Sequence, residues 1–120
     1  MAWGSDTAST QLTTITTEQF FSQTPQLNPG ETAHCQVAVD FPTTPTDNAI
    51  VSVYATLDDS SEDWDEIPYM SFVIDNSEDT SDVSFLVSGV YKFRVGVKQD
   101  TGTTNLTSAD MNHRVNGIDL

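Results

Sequence analysis

Between Thr32 and Phe41 the chain alternates with almost no lapse. Ala33, Cys35, Val37, Val39 and Phe41 take one parity, while Thr32, His34, Gln36 and Asp40 take the other with Ala38. A repeat of two is the side-chain period of a β-strand; a helix needs apolar residues every three to four positions. A strand with one apolar face must bury that face against a second layer, so this stretch alone commits the chain to a layered β structure.

The same period recurs. Val51, Val53, Ala55 and Leu57 alternate within 50–57, and Met70, Phe72 and Ile74 within 67–75. Val83, Phe85 and Val87 follow, then Tyr91, Phe93, Val95 and Val97 within 90–98. A last strand is expected over 104–115 through Leu106, Ala109 or Ser108, Met111 and Val115, and a first over 20–27, interrupted by Pro25. Turn chemistry separates them: Asn28-Pro29-Gly30, the two-proline stretch 42–48, the polar run 76–82, and Asp100-Thr101-Gly102, which reads as a hairpin turn. Seven or so short strands and no helical period predict an all-β, two-layer antiparallel β-sandwich. An immunoglobulin-like topology is the first expectation and a jelly roll, which usually needs eight strands, the second. Ser88-Gly89-Val90-Tyr91-Lys92-Phe93 supports the first: it resembles the tyrosine-bearing stretch of immunoglobulin strand F, with Phe93 in place of the second cysteine. That match implies a dry core holding both Cys35 and Phe93.

Residues 1–17 read differently. Eight of the thirteen positions from Ser5 to Thr17 are Ser or Thr, with isolated apolar anchors at Trp3, Leu12 and Ile15. Such a composition favours extended backbone and cannot build a core by itself. The expected organisation is an extended N-terminal arm, 1–17, and one sandwich domain, 18–120. The arm would dock on a neighbour or on its own sheet.

Charge restricts the partners. There are 18 acidic and 4 basic residues, a net of −14, and all four basic residues (Lys92, Arg94, Lys98, Arg114) fall after position 91. Such a field repels phosphate, which argues against nucleic acid and anionic membranes and favours a basic partner surface or simple solubility. No run approaches a membrane span, and Met1-Ala2-Trp3-Gly4 lacks the basic-then-apolar pattern of a secretory signal. Cys35 is the single cysteine, so no disulfide forms within the chain and an inert packing thiol is expected.

Chemistry is hard to find. Asp59, Ser61, Asp63 and Asp65 alternate as calcium ligands do, but Trp64 and Met70 stand where an EF-hand needs Gly and Glu. A solvated acidic loop over 58–66 is expected, with adventitious calcium the alternative. Trp64 is either a lid on the core or a contact residue. His34 and His113 lack partners at metal-ligand spacing, and no nucleophile elbow or Cys–His pairing is present. The expectation is therefore no enzyme, no cofactor and no metal. Apolar character on the wrong face is more telling: Tyr54, Tyr69 and Val73 lie opposite their strands' cores. They mark either a protein contact or a surface covered by the arm. The candidate partner-binding residues are Trp3, Leu12, Ile15, Tyr54, Trp64, Tyr69 and Val73.

Four stretches carry a resemblance. Gln26-Leu-Asn-Pro-Gly-Glu31, Val37-Ala-Val-Asp-Phe-Pro-Thr-Thr-Pro-Thr-Asp47, Val53-Tyr-Ala-Thr-Leu-Asp58 and Val87-Ser-Gly-Val-Tyr-Lys-Phe-Arg-Val-Gly-Val97 resemble the small structural proteins encoded beside capsid genes in tailed bacteriophages. The resemblance spans about 10–115 and implies a capsid decoration or cement protein on the virion surface. Its partners would be the major capsid protein and other copies of itself. Related sandwiches on tails or surfaces that bind sugars or receptors are the alternative, with Trp64, Tyr54 and Tyr69 as stacking platforms.

Overall fold

In a computed structural model, residues 3–58, 63–102 and 105–116 are described. They form nine strands: β1 (Thr7–Ala8), β2 (Leu12–Ile15), β3 (Gln19–Phe20), β4 (Thr32–Asp40), β5 (Ala49–Thr56), β6 (Met70–Ile74), β7 (Thr80–Ser88), β8 (Lys92–Gln99) and β9 (Leu106–Asn116). Two antiparallel sheets pack face to face, as the alternation requires. In the first, β1 and β2 both pair with β9, followed by β4 and β7; the second runs β3-β8-β5-β6.

The sandwich is therefore the expected one, and its connectivity is that of the jelly roll rather than the immunoglobulin order. An immunoglobulin-like chain would lay its last strand beside the preceding one. Here β9 sits in the opposite sheet, between β2 and β4. Asp100-Thr101-Gly102 is accordingly no hairpin: β8 and β9 do not pair, and the turn, with Gly102 at φ +76°, carries the chain across the sandwich. The bonding around it shows why. Asp100 N–H donates to the Asn48 carbonyl at 3.1 Å, Asn48 N–H donates to Asp100 Oδ1, and the Thr101 hydroxyl donates to buried Asp47. The turn is thus held by the 42–48 loop. Among the described residues, β5 and β6 are the one pair of consecutive strands bonded to each other.

Burial follows parity. Ala33, Cys35, Val37 and Val39 of β4 and Val51 and Val53 of β5 lose all exposure, as do Phe93, Val95 and Val97 of β8. Cys35 and Phe93 meet the expectation of a shared dry core, one from each sheet. Burial pushes the Cys35 thiol up to about 12, which leaves it protonated and inert.

The N-terminal segment is extended, and its place is the edge of its own first sheet. Thr7 and Ala8 pair with His113 and Asn112, and Leu12 and Ile15 pair with Ala109 and Leu106. Leu12 and Ile15 both pack into the core although they lie three positions apart. Thr14 has φ +48°, the one left-handed non-glycine among the described residues, and this reversal re-aims Ile15 inward without shifting the pairing register. Two other boundaries differ from the sequence expectation. β7 begins at Thr80, inside the polar run, because the Thr80 hydroxyl donates to Asp40 across the sheet. Residues 21–27 follow β8 through single bonds and one isolated bridge: Phe21 N–H to Val95, Phe93 N–H to the Pro25 carbonyl, Leu27 N–H to Tyr91. Proline has no N–H to offer a ladder.

Candidate partner-binding face

The outward parity of the second sheet gathers the residues of interest. On β8 this parity holds Lys92, Arg94, Gly96 and Lys98; on β5 it holds Ile50, Ser52, Tyr54 and Thr56. Register fixes their neighbours. Arg94 is opposite Tyr54, Lys98 opposite Ile50, Ile50 opposite Val73, and Gly96 opposite Phe20 of β3. Three of the chain's four basic residues therefore share one face of a strongly acidic molecule.

Arg94 is its centre. The guanidinium carbon lies 3.6 Å from the Phe20 ring centroid, 5.0 Å from Trp64 and 5.9 Å from Tyr54, within cation–π range of all three. Its Nε is buried with no hydrogen-bond partner among the described residues, so aromatic faces stand in for part of its solvation. Burial pulls the Arg94 pKa down, and the Glu18 carboxylate pulls it back up. Glu18 also accepts from the Tyr54 hydroxyl, at 3.0 and 3.2 Å, and burial together with that bond raises the phenol's pKa. Gly96 makes the arrangement possible. A Cβ there would come within 2.8 Å of the Phe20 ring and 2.9 Å of the Glu18 carboxylate.

Trp64 reaches this face because its segment continues beside β5 beyond β6. Asp65 N–H donates to the Ala55 carbonyl, and the Thr56 hydroxyl donates to the Asp63 carbonyl at 2.7 Å. Half-buried Trp64 is thus a lid over Arg94, on the outside of the sheet rather than on the core. Of the alternating oxygens read as a possible calcium loop, Asp59 and Ser61 lie outside the described residues. Among the described residues no three His, Cys, Asp or Glu groups converge as metal ligands.

The seven candidate contact residues separate into three places. Tyr54 and Trp64 meet around Arg94, with Val73, 67% exposed, on the same face. Tyr69, 51% exposed, lies at the rim of this sheet and donates its hydroxyl to the Ser88 carbonyl at 3.1 Å. Trp3, 47% exposed, belongs to the other side of the molecule, where it bridges to Asn116 with its ring 5.8 Å from His34. Leu12 is half-buried against the core and Ile15 is fully buried within it, so Ile15 offers no surface to a partner; the left-handed backbone at Thr14, invisible to a period-two reading, is the reason. As stacking platforms, Tyr54 is nearly buried and Trp64 already packs over Arg94, which leaves Tyr69 as the exposed ring. Phe20, Glu18 and Gly96 escaped the sequence reading, because nothing local in Glu18-Gln19-Phe20-Phe21 tells which ring faces out.

No protein-family model matches the chain, and no curated protein matches it in sequence. Its fold is similar to that of a solved structure from Bacillus endospore appendages, described as a novel family of disulfide-linked pili. The TM-score is 0.55 and the identity 15%, over 94% of this chain and 85% of the other. At that identity the likeness is one of fold.

Proposed function

We propose that the chain is a non-enzymatic structural protein of a tailed-bacteriophage particle, a decoration or cement protein that docks on the head through the outer face of the second sheet. The observation that carries this reading is the gathering of Lys92, Arg94 and Lys98 with Tyr54, Trp64 and Val73 on one face of a chain whose net charge is −14. Arginine and aromatic residues supply most of the energy in protein interfaces, and opposite charge sets orientation and approach. The partner surface is accordingly an acidic patch with apolar ground on the major capsid protein. The phage assignment rests on the sequence resemblance; the docking face rests on geometry.

Co-sedimentation with heads lacking the protein is the test. Val73→Asp and Lys98→Glu lie on the proposed face outside the core, and each is expected to weaken binding tenfold or more, about 1.4 kcal/mol. Trp3→Ala, on the opposite side, is expected to bind as the parent does. Equal binding by all three variants would sink the assignment of this face. Absence of any binding to heads would sink the particle role.

A second reading, a self-assembling filament subunit, is favoured by the fold shared with the Bacillus appendage structure. Linkage through disulfides has no chemistry to use here, since Cys35 is the single cysteine and is buried. Filaments in electron micrographs of the purified, concentrated protein would support that reading, and isolated particles would count against it.

A further inference from the structure

The two sides of the sandwich are closed unequally. On one side β1, β2 and residues 19–27 run along β9 and β8. On the other, β7 ends the first sheet and β6 ends the second, and no strand among the described residues pairs with their outer edges. β7 is nine residues long, Thr80 to Ser88, and holds one charge, Asp82, with no lysine, proline or glycine. Those are the devices by which proteins protect a long edge from pairing, and β7 lacks nearly all of them.

The direction of its free backbone groups follows from one bond. Tyr69 donates to the Ser88 carbonyl, so that carbonyl points away from β4. Strand alternation then turns the N–H and C=O groups of Leu86, Ser84 and Asp82 to the free edge, and those of Val87, Phe85 and Val83 toward β4. Leu86, 58% exposed on the outer face, and the Phe72–Phe85 stack at 5.1 Å between the sheets make this side apolar as well as unpaired.

We propose that the free edge of β7 is completed by the β7 edge of a second copy, antiparallel about a two-fold axis at Ser84. The occupant is argued from self-complementarity. Centring on Ser84 makes the longest overlap: Ser84 meets its own copy, Asp82 meets Leu86, and Thr80 comes opposite Ser88, whose carbonyl also accepts from Tyr69. No like charges come opposite one another, and the residues turned to the free edge are those that form hydrogen-bonded pairs. In a molecule of net charge −14, this strand holds a single carboxylate, and the pairing sets no two acids of the strand opposite one another. Two-fold pairing through one patch used twice is also the commonest way identical chains associate.

A two-fold axis of this kind stands perpendicular to the sheet, so both copies present their second-sheet faces in the same direction. This part rests on the docking reading above: two faces on one rigid dimer would bind a symmetric shell with an avidity of about 10²–10⁴ over one.

Sedimentation velocity across a concentration series, with hydrogen exchange on the same samples, tests the pairing. The full chain is expected to pass from monomer to dimer, with slower exchange at the Asp82, Ser84 and Leu86 amides as dimer forms. Ser84→Pro removes an edge N–H without touching the β4 ladder, and Ser84→Lys places like charges face to face on the axis; both are expected to remain monomeric. Should the proline variant fold poorly, the lysine variant decides. A parent chain that stays monomeric at every concentration, or a dimer that survives Ser84→Lys, overturns the pairing. Head binding is scored separately: a parent chain that is monomeric yet pellets with heads overturns the pairing and leaves the docking reading standing.

Discussion

Gly96 is the residue on which the Arg94 cluster turns. A methyl group there must displace the Phe20 ring or the Glu18 carboxylate, and Phe20 is held beneath the Arg94 guanidinium. Gly96→Ala is expected to cost about 1–3 kcal/mol, read as a fall in melting temperature, with a smaller loss when Phe20→Leu is made in the same chain. Cys35 offers a simple check of the core. With its pKa raised to about 12 by burial, it is expected to resist thiol reagents in the native protein and to react once when denatured. Residue-level reading from sequence was good where parity alone decides, as for Cys35, Val37 and Phe93. It failed where a side chain's partner lies across the sheet: Tyr54 was legible as a misplaced apolar residue, but Phe20 and Glu18, which explain it, lie in a strand of two residues and just before it.

At the scale of elements, β4, β5 and β8 were legible because each carries an unbroken apolar parity over eight or nine residues. β2 was not, because the left-handed Thr14 breaks its period and its Thr-rich sequence hides two core positions. Ile15→Ala is therefore expected to destabilise the whole domain by about 2–5 kcal/mol, as a core truncation does. Removing residues 2–5, which leaves β1 and β2 in place, is expected to change stability by less than 1 kcal/mol in urea melts. A similar small cost for Ile15→Ala would mean that β2 is a loosely docked strap. β7 shows the reverse problem. Its inward residues were plain, but its start was lost in the polar run because Thr80 is held by Asp40, a cross-strand hydroxyl–carboxylate bond that no local signal announces.

Over the whole molecule, the sandwich was legible and its winding was not, since a seven-strand count with a turn at 100–102 suits a hairpin as well as a crossing. What decides is which loop holds that turn, and Asp47 and Asn48 lie far from it in sequence. Long-range pairing also gives the fold a pH response. His113 of β9 is 8% exposed, its Nδ1 has no hydrogen-bond partner among the described residues, and Thr7 pairs with its backbone. Burial lowers its pKa from 6.5, against a smaller upward pull from Asp6, so the native state prefers the neutral ring. The unfolded chain then takes up the proton first. The contribution of His113 to stability is level above 6.5 and falls as the pH drops through 6.5 toward the native value. Urea melts at about pH 7.5 and about pH 5.5 are expected to show this loss, and His113→Asn to reduce it. The pairing of β1 and β2 with β9 also bears on how the protein is made. β1 and β2 are synthesised before β9, their hydrogen-bond partner, so this edge of the first sheet stays open until β9 emerges. The Thr-rich segment 5–17 lacks that partner until then, and its polar composition suits it to the wait.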